Sequence, residues 1–187
     1  QRIAHLQPGQ TVLIIGGGIS GLLHLRLARA LGAGFVTVVD IHEERLAFAR
    51  QFGAKACFLA PEFTPERLRE VNEGRLADLV IVSAGAVDAF DKAWHCADRG
   101  GTILLFAPPE PGTKLTLPAF EIWNDGITIT TAYAGAPLDI TQAIELIRSH
   151  NVEVSDMITH RFPLTQAGKA FRLVEKAQDS LKVIIEP

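Results

Sequence analysis

Cysteine is nearly lacking: the 187 residues contain two, Cys57 and Cys96, in different segments. That excludes a disulfide framework and makes a reducing, cytoplasmic compartment the expectation. No Cys-x-x-Cys or paired-histidine spacing occurs, so a zinc cluster is not expected among these residues. Charge of one sign is scarce too, with 18 Lys and Arg against 21 Asp and Glu and a net charge of −3. Such a balance argues against a general nucleic-acid or anionic-membrane surface. Apolar runs are only strand-length, and His24, Arg26 and Arg29 interrupt the leucine-rich segment 22–31. No membrane span is expected, and no basic-then-apolar opening reads as a secretory signal. Repeats, low-complexity tracts and Gly/Ser linkers are lacking as well. Gln1 stands where an initiator methionine would, inside what reads as a helix end over residues 2–6, so the chain is expected to be part of something longer.

What is present is hydrophobic material, 48% of residues against 21% charged, enough for one domain with a full core and a short appendage. It is arranged as β-branched runs alternating with helix-period segments. Strands are predicted over 11–15, 35–39, 56–59, 79–82, 102–106 and 127–131. Helices are predicted over 20–31, 43–52, 87–97 and 141–150, with Thr64 capping another that has Pro65 in its first turn. A strand over 158–162, a helix over 165–176 and a strand over 182–185 close the chain. Alternation at this spacing requires right-handed crossovers. The expected fold is an α/β doubly wound parallel sheet with strand order 3-2-1-4-5-6 and a C-terminal helix-strand extension, divided as 1–137 and 138–187. Ligands of such sheets sit beyond the carboxyl ends of the strands, at the loops beginning near Gly16, Asp40, Ser83 and Phe106.

The first of these loops, Gly16-Gly17-Gly18-Ile19-Ser20-Gly21, satisfies G-x-G-x-x-G between a buried strand and a helix. Gly16 permits the tight turn, Gly18 lets the backbone approach a pyrophosphate, and Gly21 lets helix and strand lie close. The amides of the helix start, near Ile19 and Ser20, then attract the diphosphate. Asp40 ends the second strand, followed by Ile41. Its carboxylate suits the two hydroxyls of an adenosine ribose and repels a 2′-phosphate, so the cofactor expected is NAD and not NADP. Arg45 either flanks the adenosine or lies on a solvated helix face.

Further segments are specific in combination: Pro8-Gly9-Gln10-Thr11-Val12, Val39-Asp40, Phe52-Gly53-Ala54, Ala77-Asp78-Leu79-Val80, Arg99-Gly100-Gly101-Thr102 and Leu181-Lys182-Val183-Ile184-Ile185. With the glycine loop, they resemble the medium-chain dehydrogenase/reductase superfamily of zinc-type alcohol and polyol dehydrogenases, over nearly the whole chain. Tyr133-Ala134-Gly135 and the run 156–164 look most like the polyol and threonine dehydrogenase branch.

The resemblance implies that Ser83, Ala84 and Gly85 line the nicotinamide ribose. It also implies that Phe106, Ala107 and Pro108 offer backbone groups to the carboxamide, although prolines at 108 and 109 depart from the commoner glycine-containing loop. It implies a zinc-binding catalytic domain N-terminal to this part, where zinc polarises the substrate oxygen and hydride passes to or from the nicotinamide. Zinc is expected only there, no catalytic residue is expected here, and this part alone is expected to be inactive. A homodimer through the edge strand 127–131 is implied, against a blunted edge covered by its own loop.

His24, His42, His150 and His160 have no partners at ligand spacing and read as solvated or satisfied structural histidines, with His160 kept open near a domain interface. Trp94 and Trp123 read as packing residues, and His95 and Cys96 as helix neighbours facing out and in. Two rival functions remain. A stand-alone NAD(H)-sensing module would share the glycine loop and Asp40 without needing the nicotinamide-side loops. A methyltransferase would not need all three glycines.

Overall fold

The computed structural model describes residues 1–176 and 180–187. The chain divides into two compact units, Gln1–Gly135 and Ala136–Pro187. In the first, the strands are β1 (Thr11–Ile15), β2 (Phe35–Asp40), β3 (Ala56–Leu59), β4 (Ala77–Val82), β5 (Ala97–Leu105) and β6 (Thr128–Thr131). They form one sheet in the order β3-β2-β1-β4-β5-β6, all parallel. The connecting helices are α1 (Ile19–Ala30), α2 (Glu43–Gln51), α3 (Pro65–Val71), α4 (Val87–Trp94) and α5 (Ala119–Asn124).

Every residue of β1 is buried, and β4 is buried at all positions but Asp78. A strand covered on both faces needs this unbroken apolar run. On one face Leu13, Ile15, Val80, Val82 and Ile103 pack with Phe90 and Ala93 of α4. The alternate residues Ile14, Ile81 and Leu104, also fully or nearly fully buried, face the other way. The amino-terminal edge is tied by Asp78, whose Oδ2 accepts from the Thr11 amide (2.7 Å) and hydroxyl (3.0 Å), while Arg75 donates to its Oδ1 at 2.7 Å.

Most element boundaries fall within two residues of the sequence-based expectation, and the larger differences have local causes. The fourth helix ends at Trp94, and β5 begins at Ala97, because Ala97 already pairs with Ala77 and the register then shifts through a bulge. Gly100, at φ +71°, lets the strand resume at Thr102. Helix α5 was not expected at all. The helix expected over 141–150 is α6 (Pro137–Arg148), which starts a turn earlier because Pro137 occupies its first turn and Asp139 accepts from the Ala136 amide at 2.8 Å. Thr64, by contrast, caps α3 as expected, accepting from the Arg67 amide.

The second unit contains α6, β7 (Ile158–Pro163), α7 (Ala167–Lys176) and β8 (Lys182–Glu186). Its two strands pair in parallel around α7, with Met157, Ala170 and Leu181 buried. His160 stacks on Phe162 at 6.2 Å, and its Nδ1 lies 3.0 Å from the Thr159 hydroxyl.

One buried position on α1 is polar. His24 is 7% exposed among Leu22, Leu25 and Ala28. Burial lowers its pKa to about 3, so the imidazole is neutral at physiological pH. The folded state thus resists a proton that the unfolded chain accepts near pH 6.5, and stability falls as pH drops from 6.5 toward 3. Between pH 7 and pH 5 the chain is expected to lose about 2 kcal/mol more stability than its His24→Leu variant, read by urea unfolding. Equal losses in the two proteins would contradict the buried neutral imidazole.

Candidate functional site

Three loops leave the carboxyl edge of the sheet at β1, β4 and β5, and each begins hydrogen-bonded to its neighbour. The Gly16 amide donates to the Val39 carbonyl at 2.8 Å, and the Ser83 amide to the Ile15 carbonyl at 2.8 Å. The amides of Phe106 and Ala107 share the Val82 carbonyl at 3.0 and 2.9 Å. The loops are thereby fixed to one another by main-chain bonds that depend on no side chain. This is also where the strand order reverses, between β1 and β4.

Helix α1 opens directly into this edge. Gly21 sits in its first turn against the end of β1, where a Cβ would collide with the Gly16 carbonyl oxygen. Only glycine allows that approach. Among the described residues no side chain caps α1, and no acid lies in its first turn. Its leading amides are thus left for an external acceptor, with the helix dipole behind them. A Cβ at Gly18, its N-cap, would meet nothing within 4 Å, so the bare backbone there forms the floor of an open cradle. Ile19 and Ser20 continue the cradle, both half-buried.

Asp40 lies beside it. Its Oδ2 accepts from the Gly17 amide at 2.6 Å and its Oδ1 from the His42 amide at 2.8 Å. The carboxylate is held from two sides yet only half-buried, which leaves lone pairs of both oxygens for further donors. A vicinal diol matches that arrangement. Ile41, next along, is 67% exposed, an apolar side chain open to solvent beside that carboxylate. Arg45 is half-buried, and its Cβ would lie 3.3 Å from a Cβ built at Gly17, so its side chain starts beside the glycine loop.

The far side of the edge carries Ser83, Ala84 and Gly85 against Phe106, Ala107 and Pro108. A Cβ at Gly85 would come 2.6 Å from the Pro108 carbonyl oxygen, so the two loops touch only because position 85 has no side chain. The Ser83 hydroxyl is buried with no hydrogen-bond partner among the described residues, and the Phe106 ring is 38% exposed. All fourteen residues expected at the site therefore fall on one edge of the first unit.

Several other expectations need correction. His24 is only half satisfied: its Nδ1 lies 3.2 Å from the Gln1 side-chain amide, but its Nε2 is buried with no hydrogen-bond partner among the described residues, and its ring meets Phe106 edge-on at 4.5 Å. Helical periodicity could have exposed this position, since 24 falls on the same face as 21 and 28. Trp94 is buried, but Trp123 is 77% exposed beside Phe120. His95 is exposed and Cys96 buried, although both lie beyond the end of α4 rather than on it. Burial pushes the Cys96 thiol up to about 12, which makes it inert. Among the described residues no group of three His, Cys, Asp or Glu is placed to hold a metal, so these residues do not fit a zinc site. No helix among them is long and apolar enough to cross a membrane.

The edge offers free amides to an anion and a carboxylate to a diol. Known proteins resemble the chain in sequence and in fold. A family model described as zinc-binding dehydrogenase matches residues 20–149. A probable D-xylulose reductase A from Aspergillus clavatus is 31% identical over 98% of this chain and 52% of its own length. An uncharacterised zinc-type alcohol dehydrogenase-like protein from Escherichia coli is 31% identical over the same shares. Among solved structures, an Escherichia coli oxidoreductase/dehydrogenase of unknown specificity superposes with TM-score 0.88 at 32% identity, over 100% of this chain and 54% of that one. An alcohol dehydrogenase from Thermotoga maritima gives 0.88 at 28%, over 98% and 51%. The chain, which spans about half the length of the curated relatives it matches, belongs to the zinc-binding dehydrogenase family.

Proposed function

We propose that this chain is the NAD(H)-binding part of an alcohol or polyol dehydrogenase, with hydride passing between nicotinamide and an alcohol carbon. The observation that carries the reading is Asp40, fixed by the Gly17 and His42 amides beside an uncapped helix start. In this reading the diphosphate lies on the amides of Gly18, Ile19 and Ser20, while Asp40 accepts from both hydroxyls of the adenosine ribose. Ile41 and Arg45 flank the adenine. A 2′-phosphate would bring two negative charges against the carboxylate, which disfavours NADP. Ser83, Ala84 and Gly85 line the nicotinamide ribose, and the turn Phe106–Pro108 meets the carboxamide. A cofactor-sensing module without catalysis has no need of those last two loops.

The relatives named D-xylulose reductase favour a polyol as substrate. Substrate and zinc are assigned to the part of such enzymes that this chain does not span, and the chain alone is expected to bind cofactor without turnover. The exposed apolar residues of the second unit, Ile144 and Phe171 among them, are the surface that part would cover. Two free cysteines suit a reducing cytoplasm. A homodimer through β6 completes the reading: β6 pairs only with β5 among the described residues, and Thr128, Ile129 and Thr131 are exposed.

Calorimetric titration tests the cofactor reading. NADH is expected to bind well and NADPH at least about tenfold more weakly, a gap of about 1.4 kcal/mol. Asp40→Ala is expected to weaken NADH by about tenfold and to narrow that gap. Unchanged affinities in the variant would remove Asp40 from the ribose site. Sedimentation tests the edge: the chain is expected to run as a dimer and Ile129→Lys as a monomer, and a monomeric wild type would reject the β6 interface.

A further inference from the structure

His24 is the one polar side chain among the buried residues of α1, and nothing in helix packing asks for it. The neighbouring buried positions are leucine and alanine, and a leucine at 24 would fill the same space without a polar atom to satisfy. The Gln1 side-chain amide reaches the His24 carbonyl at 2.6 Å and its Nδ1 at 3.2 Å. With Nδ1 accepting, the assigned tautomer of the neutral ring carries its hydrogen on Nε2. That nitrogen is buried with no hydrogen-bond partner among the described residues. What the imidazole does meet is the Phe106 ring, at 4.5 Å and 87°, an edge-to-face contact.

Phe106 is placed to transmit that contact. Its amide and that of Ala107 are pinned to the Val82 carbonyl, and two residues later the Pro108 carbonyl touches Gly85. The pairing of Ile81 with Leu104 and Val82 with Leu105 sets Ser83 level with Phe106. Main-chain bonds thus fix where the turn starts, and the side-chain contact with His24 fixes which way its aromatic ring faces.

We propose that His24 is a positioning residue for the nicotinamide end of the cofactor site, acting through the Phe106 ring to hold the turn Phe106–Pro108. The proposal rests on the NAD(H) reading above and assigns α1 two separate tasks. Its first turn serves the diphosphate, and its second turn, through His24, serves the carboxamide. The adenosine half of the cofactor does not depend on His24.

The test compares NADH with ADP-ribose, which carries the same adenosine diphosphate but no nicotinamide. His24→Leu is expected to weaken NADH by about fivefold and to leave ADP-ribose within about twofold. Phe106→Leu, at a position 38% exposed, is expected to produce the same selective loss, with ADP-ribose binding kept as the sign that the variant folds. In the double variant His24→Leu should add nothing to Phe106→Leu, as coupling through one contact requires. The enhancement of bound NADH fluorescence should fall in all three. Equal loss of both ligands, loss of neither, or additive effects in the double variant would overturn the role of His24. A wild-type chain that binds ADP-ribose but shows no added affinity for NADH would overturn it as well. If the wild type bound neither ligand, the cofactor reading itself would fall and the proposal with it.

Discussion

The first turn of α1 lies so close to the end of β1 that Gly21 has no room for a Cβ beside the Gly16 carbonyl. That approach sets where the helix dipole points and where its free amides emerge. The rest of the edge is arranged around it. Gly16 is bonded to Val39, Ser83 to Ile15, and Phe106 to Val82, so each loop takes its position from the strand beside it. Asp40 then reaches back to the Gly17 amide and closes the cradle on its open side. A site assembled from main-chain bonds between parallel strands is rigid before any ligand arrives, which lowers the ordering cost of binding a long, flexible dinucleotide.

Much of this edge was legible in the sequence because the signals were local. A buried strand, three glycines, a helix and an acid at a fixed distance each carry their own physical reason, and they agree on one loop. Strand order followed from the alternation of elements and the handedness of crossovers. Thr64 and Pro65 announced the start of α3 by cap chemistry alone. The misses were features that a neighbouring element decides. The bulge in β5 depends on Ala97 finding Ala77 across the sheet, which no local pattern at 95–101 encodes. Helix α5 is only six residues, too short for an apolar period to be told from chance, and none of them is buried. Trp123 looked like packing material because tryptophan usually is, yet here it faces outward.

His24 is the more instructive miss. Read for ligand spacing it is a lone histidine, and read for periodicity it is an interruption in a leucine-rich helix. Only the fold puts it against Phe106 and leaves its Nε2 without a partner among the described residues. A local choice that conflicts with its surroundings is where function is to be sought, since a structural core would have resolved it with leucine.

The central proposal is that this edge receives NADH. Amide chemical-shift mapping of the labelled chain during titration with NADH tests it most directly. The account predicts the largest shifts at 16–21, 40–42, 83–85 and 106–108, with the amino-terminal ties at Thr11 and Asp78 unmoved. Shifts confined to the second unit, or spread without regard to these four loops, would contradict it.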